Sequence, residues 1–303
     1  HIDYRFTICY LQIKYQMKEI KIFIELTRLS KPIGIMLLFW PCAWGLTIAY
    51  YFNQDVSLYF KNLILFFLGA VLMRSAGCIF NDIVDRDLDK KVKRTKLRPI
   101  ASKRVSVTKA FIYIILLCLL AFIILLQFNH LTIVLGMSSM ILAFAYPFMK
   151  RVTHWPQLFL GLTFNWGIII GWTSIENNIS IEPILLYLSA IFWTLGYDTI
   201  YGLQDIRDDE IIGVKSTSIK FKNSVKLFVG TCYTLCVLFI LLLCFMINLN
   251  KYFILLSIFF IFPLIYQVRF FKVNNAKSCL SAFRSNNLIG AIIFLFIFLF
   301  NFS

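Results

Sequence analysis

The sequence is poor in acid and in histidine. Of its 303 residues only 15 are Asp or Glu, against 30 Lys and Arg, and three are His. The histidines (His1, His130, His154) are scattered, which argues against a zinc site. Strand-like alternation is absent and loops on one side are a few residues long, which argues against a barrel. A clean signal peptide is missing too. Asp3 and Arg5 stand among apolar residues, and no cleavage pattern follows. Met17 precedes a Lys-rich segment that reads like a natural start, so residues 1–16 are expected to be an upstream extension or a disordered arm. The eight cysteines lie mostly inside apolar runs. Cys232 and Cys236 share a helix face, but no His or third Cys accompanies them, so they read as packing residues.

Apolar side chains are what the sequence has in excess. They make up 60% of it, Phe occurs 32 times, and the mean hydropathy is +0.79. Water could not hide that much apolar surface in a chain of this length, so lipid must solvate part of it. Nine spans are expected, near 33–52, 62–82, 107–126, 130–149, 157–175, 182–203, 224–247, 252–271 and 287–302. The fold class is an all-α integral membrane bundle. Residues 1–27 form an N-terminal arm and 28–303 a single transmembrane domain. With the N-terminus inside, 28 of the 30 Lys and Arg fall on the inner side. Only Lys61 and Lys251 lie opposite, a clean positive-inside split. The net charge of +15 is therefore a signal of topology and of affinity for anionic headgroups, with no nucleic-acid partner implied.

Nine of the 15 acids lie in two places. The first runs Asn81-Asp82-Ile83-Val84-Asp85-Arg86-Asp87-Leu88-Asp89. The second is Asp198, then Asp205-Ile206-Arg207-Asp208-Asp209-Glu210. On a helix Asp82, Asp85 and Asp89 share a face, with Asn81 beside Asp85. Asp205, Asp208 and Asp209 do likewise, with Asp198 two turns earlier. Like charges so close destabilise a bare helix, and a cation removes that penalty. Oxygen donors without Cys or His point to Mg²⁺, which is commonly shared with substrate phosphates. An even number of spans separates the clusters, so both end on one side and can face one cavity. The alternative is a pair of solvated acidic helix ends, or acids that neutralise the basic loop.

Cations follow each cluster at once: Lys90-Lys91-Val92-Lys93-Arg94-Thr95-Lys96-Leu97-Arg98-Pro99, and Gly213-Val214-Lys215-Ser216-Thr217. A metal-bridged diphosphate keeps free oxygens that Lys and Arg can pair with. Arg94, Arg98 and Lys215 are the expected diphosphate ligands, with Lys93 behind them. Each could instead be a topology charge.

The motifs Asn81-Asp82-x-x-Asp85-x-x-x-Asp89 and Asp205-x-x-x-Asp209 resemble the paired signatures of the UbiA-type intramembrane prenyltransferases. The 4-hydroxybenzoate polyprenyltransferase branch is resembled in longer strings: Arg28-Leu29-Ser30-Lys31-Pro32-Ile33-Gly34, Arg74-Ser75-Ala76-Gly77-Cys78, Lys93-Arg94-Thr95 with Arg98-Pro99, Tyr146-Pro147-Phe148-Met149-Lys150-Arg151, Tyr197-Asp198-Thr199-Ile200-Tyr201, and Ile212-Gly213-Val214-Lys215-Ser216-Thr217. Gly202 stands where relatives often have Ala. The resemblance implies a nine-helix bundle whose active site opens to the cytoplasm or matrix under helical caps. It implies transfer of a polyprenyl chain from its diphosphate to the ring of 4-hydroxybenzoate, in ubiquinone synthesis. Two Mg²⁺ would be held by Asn81, Asp85 and Asp89 and by Asp205 and Asp209, with Asp82, Asp198 and Asp208 assisting. Asp85, Asp89, Asp205 and Asp209 are the expected catalytic carboxylates. Arg151, beside Tyr146, is the expected partner of the acceptor's carboxylate; otherwise it is a positive-inside charge. The expected location is a bacterial inner membrane, with the mitochondrial inner membrane as the alternative. Competing readings are a secondary transporter, a relative with another acceptor (homogentisate, a naphthoate or haem) and a lipid-binding scaffold.

Overall fold

The computed structural model describes residues 2–249 and 255–302. Lys251, one of the two outer cations, and the start of the eighth expected span lie outside them. Among the described residues eight helices are long and apolar enough to cross a membrane. These are α2 (Ile33–Phe52), α3 (Val56–Val84), α5 (Val107–Leu125), α6 (His130–Val152), α7 (Pro156–Glu176), α8 (Ile181–Gly202), α11 (Val225–Met246) and α13 (Ala276–Phe298), the last continued by a 3₁₀ turn. A shorter apolar helix, α12 (Ile258–Phe270), stands at the eighth expected span. The short helices α4 (Arg86–Asp89), α9 (Ile206–Ile212) and α10 (Thr217–Lys220) lie in the long loops on the cation-rich side. Helix α1 (Ile2–Thr27) precedes them all, so the arm expected to be partly disordered is a continuous helix.

Side chains from the loops start several spans. Asp55 accepts from the Leu58 amide, Ser106 from Lys109, Asn129 from Thr132 and Asn275 from Ser278. These caps satisfy amide donors at the helix starts that have no intrahelical partner. The Asn275 cap moves the start of the last span to Ala276, eleven residues before expectation, which puts Lys277 and Arg284 on a helix.

Helices α2, α7 and α8 make the interior, while α5 and α6 turn most of their surface to lipid. Small residues let α2 and α7 touch. A Cβ at Gly45 would sit 2.0 Å from the Ile168 carbonyl oxygen, and one at Gly171 would sit 2.4 Å from that of Cys42. In lipid, close backbone approach of this kind substitutes for hydrophobic drive. Gly45→Ala is expected to cost about 1–3 kcal/mol by overpacking, read as a lowered Tm in detergent. Gly69→Ala, where nothing lies within 4 Å of the added carbon, should leave Tm unchanged or raised. Equal Tm values for the two variants would contradict this account. Buried polar links tie the bundle further. Asn165 donates to Thr194 and to the Ala190 carbonyl, Trp193 donates to Asn286, and Asn62 donates to Ser174.

Candidate active site

A cavity of about 1220 Å³ runs inward from the cation-rich end of the bundle. Its polar end is lined by Arg28, Asn81, Asp82, Arg94, Arg98 and Tyr201. Further in come Arg74, Tyr146 and Asp198, and then an apolar sleeve from α3, α5, α6 and α7. At the far end Phe66 and Phe128 stack with centroids 4.7 Å apart. From Asp82 to Phe66 along α3 is about 24 Å at 1.5 Å per residue. Ile115 and Leu119 of α5 and Met137 of α6 line this sleeve and are also exposed.

The first acidic cluster does not keep one face. Helix α3 ends at Val84, and Asp85 leaves helical geometry with φ −94° and ψ 0° before α4 begins. The carboxylates therefore part. Asp82 accepts from Arg28 at 2.8 Å on both oxygens and from Arg98 at 3.1 Å. Asp89 also accepts from Arg98, at 2.9 Å. Asp85 turns instead to Lys150 and to the Asn81 amide. Burial pushes the Asp85 carboxyl above its ordinary range, against the pull of Lys150. Asp82 is clamped by two arginines, which leaves it a poor candidate for the metal ligand expected of it.

The second cluster is broken as well. Helix α8 stops at Gly202, and α9 starts only at Ile206. Asp205, Asp208 and Asp209 thus belong to the α9 turn, and Asp198 stays behind in α8, away from the face they were expected to share. Asp205 receives both nitrogens of an Arg94 fork, whose third nitrogen donates to the Tyr201 hydroxyl at 3.2 Å. Asp208 accepts the Lys93 amide at 3.3 Å. These contacts tie the basic loop that follows the first cluster to the second cluster. Among the described residues no ion pair reaches Asp209, although Lys150 and Arg94 act on it. Burial first, then the charge of Asp205, push it up to about 6.

Three expected ligands are placed elsewhere. The Lys215 ammonium donates to the Val152 carbonyl at 3.1 Å, where it serves the end of α6. Lys93 is exposed, and its amide rather than its ammonium makes the contact. Arg151 donates to the Val84 carbonyl at 2.6 Å, pairs with Asp85 at 3.8 Å and lines a separate pocket with Lys150 and Val214. It does not line the main cavity, although Tyr146 does. Lys150 ends α6 one turn after Tyr146, so it reaches Asp85 from below.

Arg74 also lines the cavity, beyond the mouth; the sequence reading placed it in the string Arg74-Ser75-Ala76-Gly77-Cys78 and gave it no role in the site. Its guanidinium lies over the Phe164 ring at 5.3 Å and against Gly34, where a Cβ would be 2.6 Å from Nε. That Nε is buried and without a hydrogen-bond partner. The signal was available: Arg74 precedes Asn81 by seven residues, two turns deeper on the same face of an apolar span, where a charge is costly.

The model of the UbiA prenyltransferase family matches residues 38–300. The chain belongs to that family. A mitochondrial 4-hydroxybenzoate polyprenyltransferase of Arabidopsis thaliana is 44% identical over 92% of this chain and 69% of its own length. A 4-hydroxybenzoate octaprenyltransferase of Coxiella burnetii is 39% identical over 93% of this chain and 97% of its own. Among solved structures, the apo UbiA homolog of Aeropyrum pernix K1 superposes with a TM-score of 0.71 at 22% identity, covering 86% of this chain and 97% of that one. A UbiA homolog of Archaeoglobus fulgidus bound to GPP and Mg²⁺ gives 0.69 at 17% identity, over 93% and 100%. These two show that the helical bundle is the UbiA fold.

The UbiA site of this chain suits a hard divalent ion. Its donors are oxygens, and Asp85 Oδ1 is a buried anionic atom without a hydrogen-bond partner. Among the described residues no three acids, His or Cys are grouped so as to hold a metal ion by themselves. Mg²⁺ takes one or two carboxylates and completes its shell with water and substrate phosphate.

Proposed function

We infer that this chain is a 4-hydroxybenzoate polyprenyltransferase. It moves a polyprenyl chain from polyprenyl diphosphate to the ring carbon ortho to the phenol of 4-hydroxybenzoate, releasing diphosphate, in ubiquinone biosynthesis. The observation that carries this reading is one cavity, about 24 Å long from Asp82 to Phe66, that joins a cation-rich mouth to an apolar sleeve. Relatives at 39–44% identity that carry the same named activity support it.

Asn81, Asp85 and Asp89, with Asp205 and Asp209 opposite, would hold Mg²⁺, which when bound supplies Lewis-acid stabilisation of charge on the diphosphate. Arg94 and Arg98 line the mouth and would turn from the carboxylates that hold them to the diphosphate oxygens. Lys150 keeps Asp85 oriented, and the Lys93–Asp208 contact draws the loop after α4 over α9. Arg74 takes the acceptor's carboxylate, in place of the Arg151 expected from sequence. The sleeve receives the prenyl chain and keeps water from the allylic cation. The cation-rich helix ends support an orientation with the mouth and the N-terminus on the cytoplasmic or matrix side of the membrane.

The test is an assay of purified protein with labelled 4-hydroxybenzoate and a polyprenyl diphosphate. Ring-prenylated product and diphosphate should appear together with Mg²⁺ and vanish with EDTA. Product formation that persists in EDTA would remove the metal from the reading; no product with Mg²⁺ would remove the reaction.

A further inference from the structure

Most carboxylates of the site are already held by cations: Asp82 by Arg28 and Arg98, Asp85 by Lys150, Asp89 by Arg98, Asp205 by Arg94. Asp198 stands apart. It lies in the cavity wall on α8, and among the described residues no hydrogen bond or ion pair reaches it. The charge that acts on it is Arg74, from α3. Tyr146 from α6 and Tyr197 from α8 are its other ionisable neighbours. The cavity residues of α7 carry no charge, and α13 contributes Arg284 to the wall.

Arg74 and Asp198 share this wall and do not pair. Opposite charges near each other in a poorly solvated wall gain by contact, but Gly34 and Phe164 hold the guanidinium in place. The result is one stretch of cavity wall that carries an unpaired cation and an unpaired carboxylate. A 4-hydroxybenzoate ion is the complement, with a carboxylate and an acidic O–H at opposite ends of a rigid ring.

We propose that Asp198 is a catalytic residue that accepts the phenolic proton of the acceptor as the ring attacks. The assignment rests on the acceptor reading above. The bond between the allylic carbon and the diphosphate oxygen breaks, and its electron pair stays on the diphosphate. The ring carbon ortho to the hydroxyl forms the new C–C bond with a ring π pair. The O–H proton passes to an Asp198 oxygen, and its bonding pair becomes the C=O of a dienone. The proton on the substituted ring carbon then passes to the departing diphosphate, and Asp198 returns its proton to the oxygen. Diphosphate leaves carrying the one proton released.

The experiment compares wild type, Asp198→Asn and Asp198→Glu with Mg²⁺, on 4-hydroxybenzoate and on its 3-fluoro analogue, whose phenol is more acidic and whose other ortho carbon is open. Loss of a general base lowers kcat by about 10²–10⁴-fold. Asp198→Asn should show that loss with an acceptor KM changed less than about threefold, because Arg74 still holds the carboxylate. Its deficit should shrink at least about tenfold on the fluoro acceptor and with rising pH, since a phenolate needs no base. Asp198→Glu should recover part of kcat. Retained acceptor binding by Asp198→Asn shows that it is folded. A deficit equal for both acceptors and flat with pH, or an unchanged kcat, overturns the assignment. A wild type inactive on 4-hydroxybenzoate overturns the acceptor reading and this assignment with it.

Discussion

Asp85→Ala and Asp205→Ala are each expected to lower kcat by about 10³-fold or more, but only the first should also lower Tm. Both remove an oxygen that the proposed function gives to Mg²⁺, on which several kcal/mol of charge stabilisation would depend. Their structural settings differ. The Asp85 side chain is 2% exposed and holds the Lys150 ammonium, itself only 26% exposed. Removing one partner of a buried pair leaves the other uncompensated, which typically costs about 3–5 kcal/mol. Asp205 is 17% exposed, and its partner Arg94 is 41% exposed and can return to water. Thermal unfolding beside single-turnover transfer separates the two effects. Full activity in either variant would end the metal-site reading, and equal Tm values would contradict the burial argument.

The second large effect belongs to Arg74. Arg74→Ala should raise the acceptor KM by about 10-fold to 150-fold, as the loss of a charged hydrogen-bonding partner is worth about 1.5–3 kcal/mol. The KM for prenyl diphosphate should change less than about threefold, because Arg94 and Arg98 line the mouth unaltered. Arg151→Ala is the control. It removes the contact to the Val84 carbonyl and the 3.8 Å ion pair to Asp85, both outside the main cavity, so the acceptor KM should stay near wild type. If Arg151→Ala raised the acceptor KM and Arg74→Ala did not, the roles assigned to the two arginines would be reversed.

The contrast shows what a linear sequence carries. Spans are legible because apolar runs of membrane length have few rivals, and the charge split orders them. The two clusters are legible because nine acids crowd two helix ends in a chain otherwise short of acid. The breaks at Asp85 and between Gly202 and Ile206 are not, since no Pro or Gly stands at the turning residues themselves. Those breaks send Asp82 and Asp85 to different cations and leave Asp198 behind on α8. Lys215 and Arg151 misled for a related reason. A cation at a helix end can reach a ligand or a neighbouring carbonyl, and only the path of the loop decides. The last span was misread because Lys277 and Arg284 look like loop charges until the Asn275 cap is seen.

The sleeve between Asp82 and the Phe66–Phe128 stack has a further meaning for supply and release. An isoprenoid tail already lies among acyl chains, and here it can pass beside Ile115, Leu119 and Met137 without crossing an aqueous gap. Encounter with the enzyme is then a search in the plane of the bilayer. Its rate depends on the surface density of donor lipid and on leaflet viscosity, and adding a detergent that dilutes that surface should slow turnover even with every catalytic group intact.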